Sequence, residues 1–297
     1  MTTEAAPPAH PGSPRRTAVG AVTQLGTSVS VNLGSALAGL VIPVVGVFVV
    51  VAVRQLVMAA VVLPIYRPTR AHLTFRRLWP ALLLGVAMAV MNLSFYEAVH
   101  LLGLGIAATI EFLGPLAVAL VASRRVIDVV CALVAGAGVF VLTGFDGTMN
   151  VWGVVLALVA AGAWAAYILL TRRVALRLPG LEGLTVATIV SLALLLPFAV
   201  ITLDVSQIDW RVLGILVGVG LLSSAIPYSL DTFVLRRITP RLYAIITASG
   251  PVVAALFGVL ILGEHLTPVE VLAIVIVCGA AATAIATQRD RPRPTVP

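Results

Sequence analysis

Residues 107–120 read AATIEFLGPLAVAL, and residues 243–256 read YAIITASGPVVAAL. Set one above the other, Gly114-Pro115 falls on Gly250-Pro251, with small and apolar residues in step on both sides. The same offset lays MNLSFYEAV (91–99) over PYSLDTFVL (227–235), so the likeness runs through two consecutive apolar segments. The loops joining those segments differ. HLLGLG (100–105) carries no Arg, whereas RRITPR (236–241) carries three arginines. Loops that hold Arg sit on the cytoplasmic side of a membrane, so equivalent loops here fall on opposite sides. The chain reads as a repeat followed by its inverted copy.

The composition demands a membrane. Of 297 residues, 60% are hydrophobic and 10% charged, against about 25% charged in an average soluble domain. The mean hydropathy is +1.11, and apolar runs of about 20 residues recur along the chain, the length that spans a bilayer. The net charge of +7 comes from arginines clustered between apolar runs; that placement speaks of topology rather than nucleic-acid binding.

Ten spans are expected, near 19–41, 45–65, 78–99, 104–122, 126–143, 151–170, 184–202, 211–235, 242–262 and 268–287. The fold class is therefore an all-α polytopic membrane protein of ten transmembrane helices in two inverted five-helix repeats. Residues 1–18 form a Pro-rich disordered tail, 19–145 the first repeat, 150–287 the second, inverted repeat, and 288–297 a C-terminal tail. Arg15, Arg16, Arg76, Arg77, Arg124, Arg125, Arg172, Arg173, Arg236 and Arg237 fall on one side, the other having Arg211 alone. Both termini are expected in the cytoplasm, in a plasma membrane. The first span reads as an uncleaved helix rather than a signal peptide. Gly20, Gly26, Gly34, Gly39, Gly85, Gly136, Gly138, Gly153 and Gly162 read as helix-packing positions.

Ionisable residues inside such spans are functional hypotheses by default. Arg54 lies about nine residues into the second span and Glu111 about seven into the fourth, so both are roughly 10–14 Å deep. A lone arginine at mid-membrane costs at least about 2.5–3.5 kcal/mol, so a partner or water is expected. Two readings stand: a structural Arg54–Glu111 pair, or a proton or substrate site at Glu111. Gly114, Pro115, Gly250 and Pro251 are helix-break positions whose freed carbonyls can face a cavity. Gln24, Ser28, Asn32 and Ser35 stripe the first span, while Asn92 and Tyr96 share a face of the third. With Trp164, Tyr167, Ser223, Ser224 and Tyr228 they suggest one polar cavity. Glu97 and Asp231 are candidate gates; Phe95 is the repeat partner of Asp231.

Cys131 and Cys278 lie within spans and read as small buried hydrophobes, and the four histidines are scattered. No metal site or cofactor is expected. No nucleophile elbow, paired-histidine zinc motif or phosphate loop occurs, which argues against an enzyme or an ATP-driven pump.

The run MNLSFYEAVHLLGLGIAATIEFLGPLAVALVASRR (91–125), with GAWAAYIL (162–169), LLSSAIPYSLD (221–231) and LGEHLTPVEVLA (262–273), resembles bacterial threonine/homoserine exporters. These belong to the EamA branch of the drug/metabolite transporter superfamily. The resemblance covers roughly residues 20–287. It implies two inverted five-helix repeats and proton- or gradient-coupled export of threonine, homoserine or analogues, with a cavity among helices one, three, four, six, eight and nine. Arg54, Glu111 and Asp231 match charged positions of that pattern. Two departures stand out. Those exporters carry a glutamate just before the helix-nine proline, where this chain has Ser249-Gly250; and Glu97 stands at an apolar position. The expected partners are a small-molecule substrate, the lipid bilayer and the proton gradient, in a monomer or homodimer. Efflux of a drug or secondary metabolite is the alternative within the same class, and a non-transporting membrane scaffold the alternative outside it.

Overall fold

The computed structural model describes residues 14–66, 74–121, 125–142 and 150–287, apart from 228, 229, 231–233, 235 and 236. All regular structure among the described residues is helical. The first half contains α1 (Pro14–Val45), α2 (Val47–Ile65), α3 (Phe75–Leu102), a broken pass formed by α4 (Leu104–Glu111) and α5 (Leu113–Val121), and α6 (Val126–Leu142). The second half contains α7 (Val151–Ala175), α8 (Glu182–Thr202) and α9 (Trp210–Gly220), which runs into a π-helical turn at Leu221–Ala225. A second broken pass follows, α10 (Pro240–Thr247) and α11 (Gly250–Phe257) with a π turn at Gly258–Leu262, and then α12 (Pro268–Thr287).

Eight helices among the described residues are long and apolar enough to cross a membrane, and two shorter apolar ones are Val126–Leu142 and Trp210–Ala225. Large apolar side chains such as Phe140, Ile201 and Leu260 lie bare on the outside. Water would penalise such a surface; hydrocarbon does not. The molecule is a multi-pass membrane protein. Two reversals need glycine: Gly46 (φ 80°) between α1 and α2, and Gly103 (φ 85°) between α3 and α4, a backbone region that a Cβ disfavours.

The helices pair in a reciprocal pattern. α3 packs on α7 and α8, while α9 and its π turn pack on α1 and α2. α4 and α5 lie against α7, as α10 and α11 lie against α1. The remaining large pairings are α2 with α8, α4 with α11 and α6 with α12. Exchanging each helix for its counterpart in the aligned halves turns these pairings into one another, except that of α4 with α11. Without a hydrophobic drive between helices in lipid, such crossings depend on close contact. A Cβ added at Gly105 would sit 2.9 Å from the Ala255 Cα, one at Gly34 2.8 Å from the Ser223 amide, and one at Gly85 2.6 Å from the Ala187 carbonyl. Gly20, Gly39, Gly138 and Gly153 are equally confined. At Gly26, Gly136 and Gly162 no described residue of another helix lies within 4 Å of where a Cβ would be, so among the described residues they are not close-packing positions.

Candidate functional site

Proline 115 has no N–H to offer the carbonyl four residues back, that of Glu111, and Pro251 deprives the carbonyl of Thr247 in the same way. The helices end there: α4 stops at Glu111 and α10 at Thr247. Both breaks border one cavity of about 260 Å³. Its walls come from α1 (Gln24, Ser28, Asn32), α2 (Arg54), α3 (Asn92, Phe95), α4 with the residue after it (Glu111, Phe112), α7 (Trp164, Tyr167), the π turn (Ser223) and α10 (Tyr243, Thr247). The cavity runs from the middle of the bundle towards the end where α1 and α10 begin and α7 finishes. That end carries Arg15, Arg16, Arg172 and Arg173.

At the opposite end the described helices lie in close contact: Gly105 lies on Ala255, and Gly153 presses on Leu102. In the loop after the second π turn, Glu264 accepts the backbone N–H of Leu104 at 2.5 Å and of Gly105 at 3.4 Å, capping α4. Burial raises the Glu264 carboxyl above the usual carboxylate range, against the pull of those two amides.

Arg54 is held from behind the cavity wall. Its Nε donates to Ser224 Oγ (2.7 Å), Nη1 to Asn92 Oδ1, and Nη2 to the Ser223 carbonyl (3.0 Å). The guanidinium lies 5.7 Å from the centre of the Tyr96 ring, a cation–π distance. In the π turn the Ile226 N–H reaches back to the Leu221 carbonyl, which leaves that of Leu222 to take the Ser30 hydroxyl at 2.7 Å, while Pro227, with no N–H, leaves that of Ser223 to Arg54.

Glu111 and Arg54 border the same cavity, near enough for the guanidinium charge to act on the carboxylate, but no direct ion pair joins them among the described residues. The reason is that Arg54's nitrogens already donate to oxygens of α3 and the π turn. Glu111 has no hydrogen-bond partner among the described residues. Gln24 is 3% exposed; its Nε2 donates to Thr247 Oγ1 (3.2 Å), and its Oε1 has no partner.

Other expected residues take different places. Tyr96 and Ser224 stand behind Arg54 rather than on the wall: Tyr96 is wholly buried under the guanidinium, and Ser224 is turned to its Nε. Glu97 is half-buried on α3 and borders no part of the cavity, one residue's rotation from Tyr96 having turned it away. Tyr228 and Asp231 lie outside the described residues. Gly250 and Pro251 border the cavity, whereas Gly114 packs against the carbonyl of Ala161. Phe112, Tyr243 and Thr247 were not expected on the wall. The repeat alignment held the signal for Thr247, which falls on Glu111. Cys131 and Cys278 are both buried and free.

Comparison with known proteins agrees with this architecture. Residues 151–286 match the model of the EamA-like transporter family. The threonine/homoserine exporter RhtA of Salmonella typhimurium (strain SL1344) is 31% identical over 267 residues, which cover 89% of this chain and 90% of the exporter. The threonine/homoserine exporter RhtA of Escherichia coli (strain K12) is 32% identical over 255 residues, 85% and 86% of the two chains. A solved crystal structure shares the fold with a TM-score of 0.61 and 20% identity, covering 90% of this chain and 95% of that one. These relatives are transporters and not enzymes, and the chain belongs to the EamA-like transporter family.

Proposed function

We propose that this protein exports small amino acids, threonine and homoserine or their analogues, across the plasma membrane by proton-coupled alternating access. Its ten passes would form two inverted repeats, 19–145 and 150–287, with the Arg-bearing end in the cytoplasm. The reciprocal helix pairing supports the two-repeat reading. The observation that carries the proposal is the carboxylate of Glu111, at a helix break and without a direct ion pair among the described residues, on a cavity whose lining runs towards the Arg-bearing end. In that orientation the cavity faces the cytoplasm, where an exporter loads.

Glu111 would bind the cargo on loading and a proton on the return. A carboxylate near Arg54 but not ion-paired to it can exchange cargo for a proton more readily than one locked in a direct pair. Arg54, tied to α3 and the π turn, keeps a positive charge beside the site and holds its wall together. Size favours a small cargo. At about 30 Å³ per water the cavity holds the equivalent of roughly nine waters, at the lower edge of the ~300–1,000 Å³ range of drug-sized pockets.

Everted vesicles from a host stripped of its own amino-acid exporters test this reading. An imposed pH gradient should drive labelled threonine and homoserine into vesicles bearing the protein, and Glu111→Gln should lower the response by about 10- to 150-fold. Pump-like accumulation of hydrophobic drugs without amino-acid uptake would move the protein to the drug-efflux alternative. PH-driven uptake that survives Glu111→Gln would remove the proton from Glu111.

A further inference from the structure

Two helices that border the cavity, α1 and α7, are counterparts in the aligned halves, and their linings are unlike. They form no substantial packing contact with each other: α1 is held by α9, α10 and α11, and α7 by α3, α4 and α5. They therefore stand on different sides of the space. α1 lines it with Gln24, Thr27, Ser28, Asn32 and Ser35, a polar stripe broken by Val31. α7 lines it with Trp164 and Tyr167. Trp164 sits in the middle of α7 (Val151–Ala175), away from the membrane interface where tryptophan ordinarily anchors a span. Its ring is backed by protein. Phe112 meets it edge to face at 6.0 Å between ring centres, and both belong to the apolar packing that α4, α6 and α12 share. Polar atoms are not confined to α1, since the indole N–H of Trp164 has no partner among the described residues. Carbon surface is more one-sided. The bulkiest apolar side chains on the lining, Met91, Phe95, Phe112 and Trp164, all come from the side of α3, α4 and α7.

We infer that Trp164 is the specificity-determining residue of this cavity, burying against its ring the side-chain carbon that threonine and homoserine carry and serine lacks. This deepens the export reading above and rests on it. An amino acid whose charged groups meet Glu111, Arg54 and the polar stripe of α1 turns its side chain towards α7. Threonine, homoserine and serine share those charged groups and a hydroxyl. Threonine and homoserine each have one carbon more than serine, and an aromatic ring rewards that carbon, because apolar surface leaves water as it packs. The ring is large and braced by Phe112, so it offers the carbon a fixed surface rather than one that must be ordered on binding. The polar stripe meets what the three cargoes have in common and cannot tell them apart.

Uptake of threonine and serine from one mixture, each with its own label, into everted vesicles bearing the full-length protein tests this. The ratio of the two cargoes is the readout, because a loss of folded protein lowers both alike. The wild-type protein should favour threonine by about four- to tenfold, between the effect of burying one CH2 group and the lower bound for a fitted apolar pocket. Trp164→Ala should bring the ratio below about twofold. Trp164→Gln, which refills the space with a polar chain, should do the same and decides the matter where the alanine variant does not transport. Ser28→Ala on the facing helix should lower both cargoes together and leave the ratio where it was. A ratio that survives the Trp164 variants overturns the inference and leaves amino-acid export standing. So does a ratio that collapses in Ser28→Ala instead, which would put the side chain on α1, and so does a wild-type protein that takes up both cargoes equally. A wild-type protein that takes up neither overturns the inference and the amino-acid reading together.

Discussion

The two helix breaks are built from one pattern and have diverged in use. In the first, Glu111 ends α4, and Gly114 sits so close to the Ala161 carbonyl that a Cβ would overlap it. In the second, Thr247 ends α10, its hydroxyl ties down Gln24, and among the described residues Gly250 has no neighbour within 4 Å of a Cβ position. The same Gly-Pro therefore clamps one half against α7 and leaves room for a cavity in the other. One half supplies a charge without an ion pair; the other supplies a neutral brace that orients a polar neighbour. A repeat preserves backbone geometry at such a break far more readily than it preserves chemistry, since proline dictates the first and single side chains the second.

That contrast can be broken by experiment. Glu111→Gln should have the largest effect, lowering pH-driven threonine uptake by about 10- to 150-fold, the range expected when a charged hydrogen bond to the cargo is lost. Thr247→Val at the equivalent position should lower uptake only a few-fold and keep its pH dependence, since it leaves the carboxylate in place. Next comes packing. Gly114→Ala should destabilise the protein by about 1–3 kcal/mol, the usual cost of overfilling a tight contact, seen as a lower thermal midpoint in detergent. Gly250→Ala should leave that midpoint unchanged or raise it slightly, as alanine favours a helix by about 0.5–1 kcal/mol over glycine. Equal losses from the two alanines would erase the distinction between clamp and cavity. The smallest effect belongs to Glu264. Its folded carboxyl titrates above its unfolded value, so its contribution is fully present below the unfolded value and declines as pH rises through the raised one. Glu264→Gln keeps an acceptor for Leu104 and should flatten that slope in a series of thermal melts across the mildly acidic range.

Most passes were legible because their signals are long and redundant. The second was expected at 45–65 and forms Val47–Ile65, and the last was placed at 268–287 and forms Pro268–Thr287. The breaks were legible too, because Gly-Pro in an apolar run has few other uses. The wall of the cavity was less so. Asn92 and Tyr96 are one turn apart on α3, yet Arg54 covers the tyrosine, and Phe95, about 100° away around the helix, faces the cavity instead. Nor does sequence periodicity reveal a π turn. The Ser223 carbonyl that engages Arg54 is free because Pro227, four residues on, has no N–H, and the Leu222 carbonyl that takes Ser30 is free because the Ile226 N–H reaches back to Leu221 in the wider turn.

Helix α4 is only eight residues long, about 12 Å from end to end. It is bounded by Gly103 at one end and the proline break at the other, with Glu264 gripping its first amides and Glu111 forming its last residue. A stiff rod between two joints behaves as a lever. In the proposed export cycle, release of Glu264 at the far end would swing the near end that carries the acid as well, so the handle on the cargo and the bolt on the opposite door would be parts of one mechanical piece.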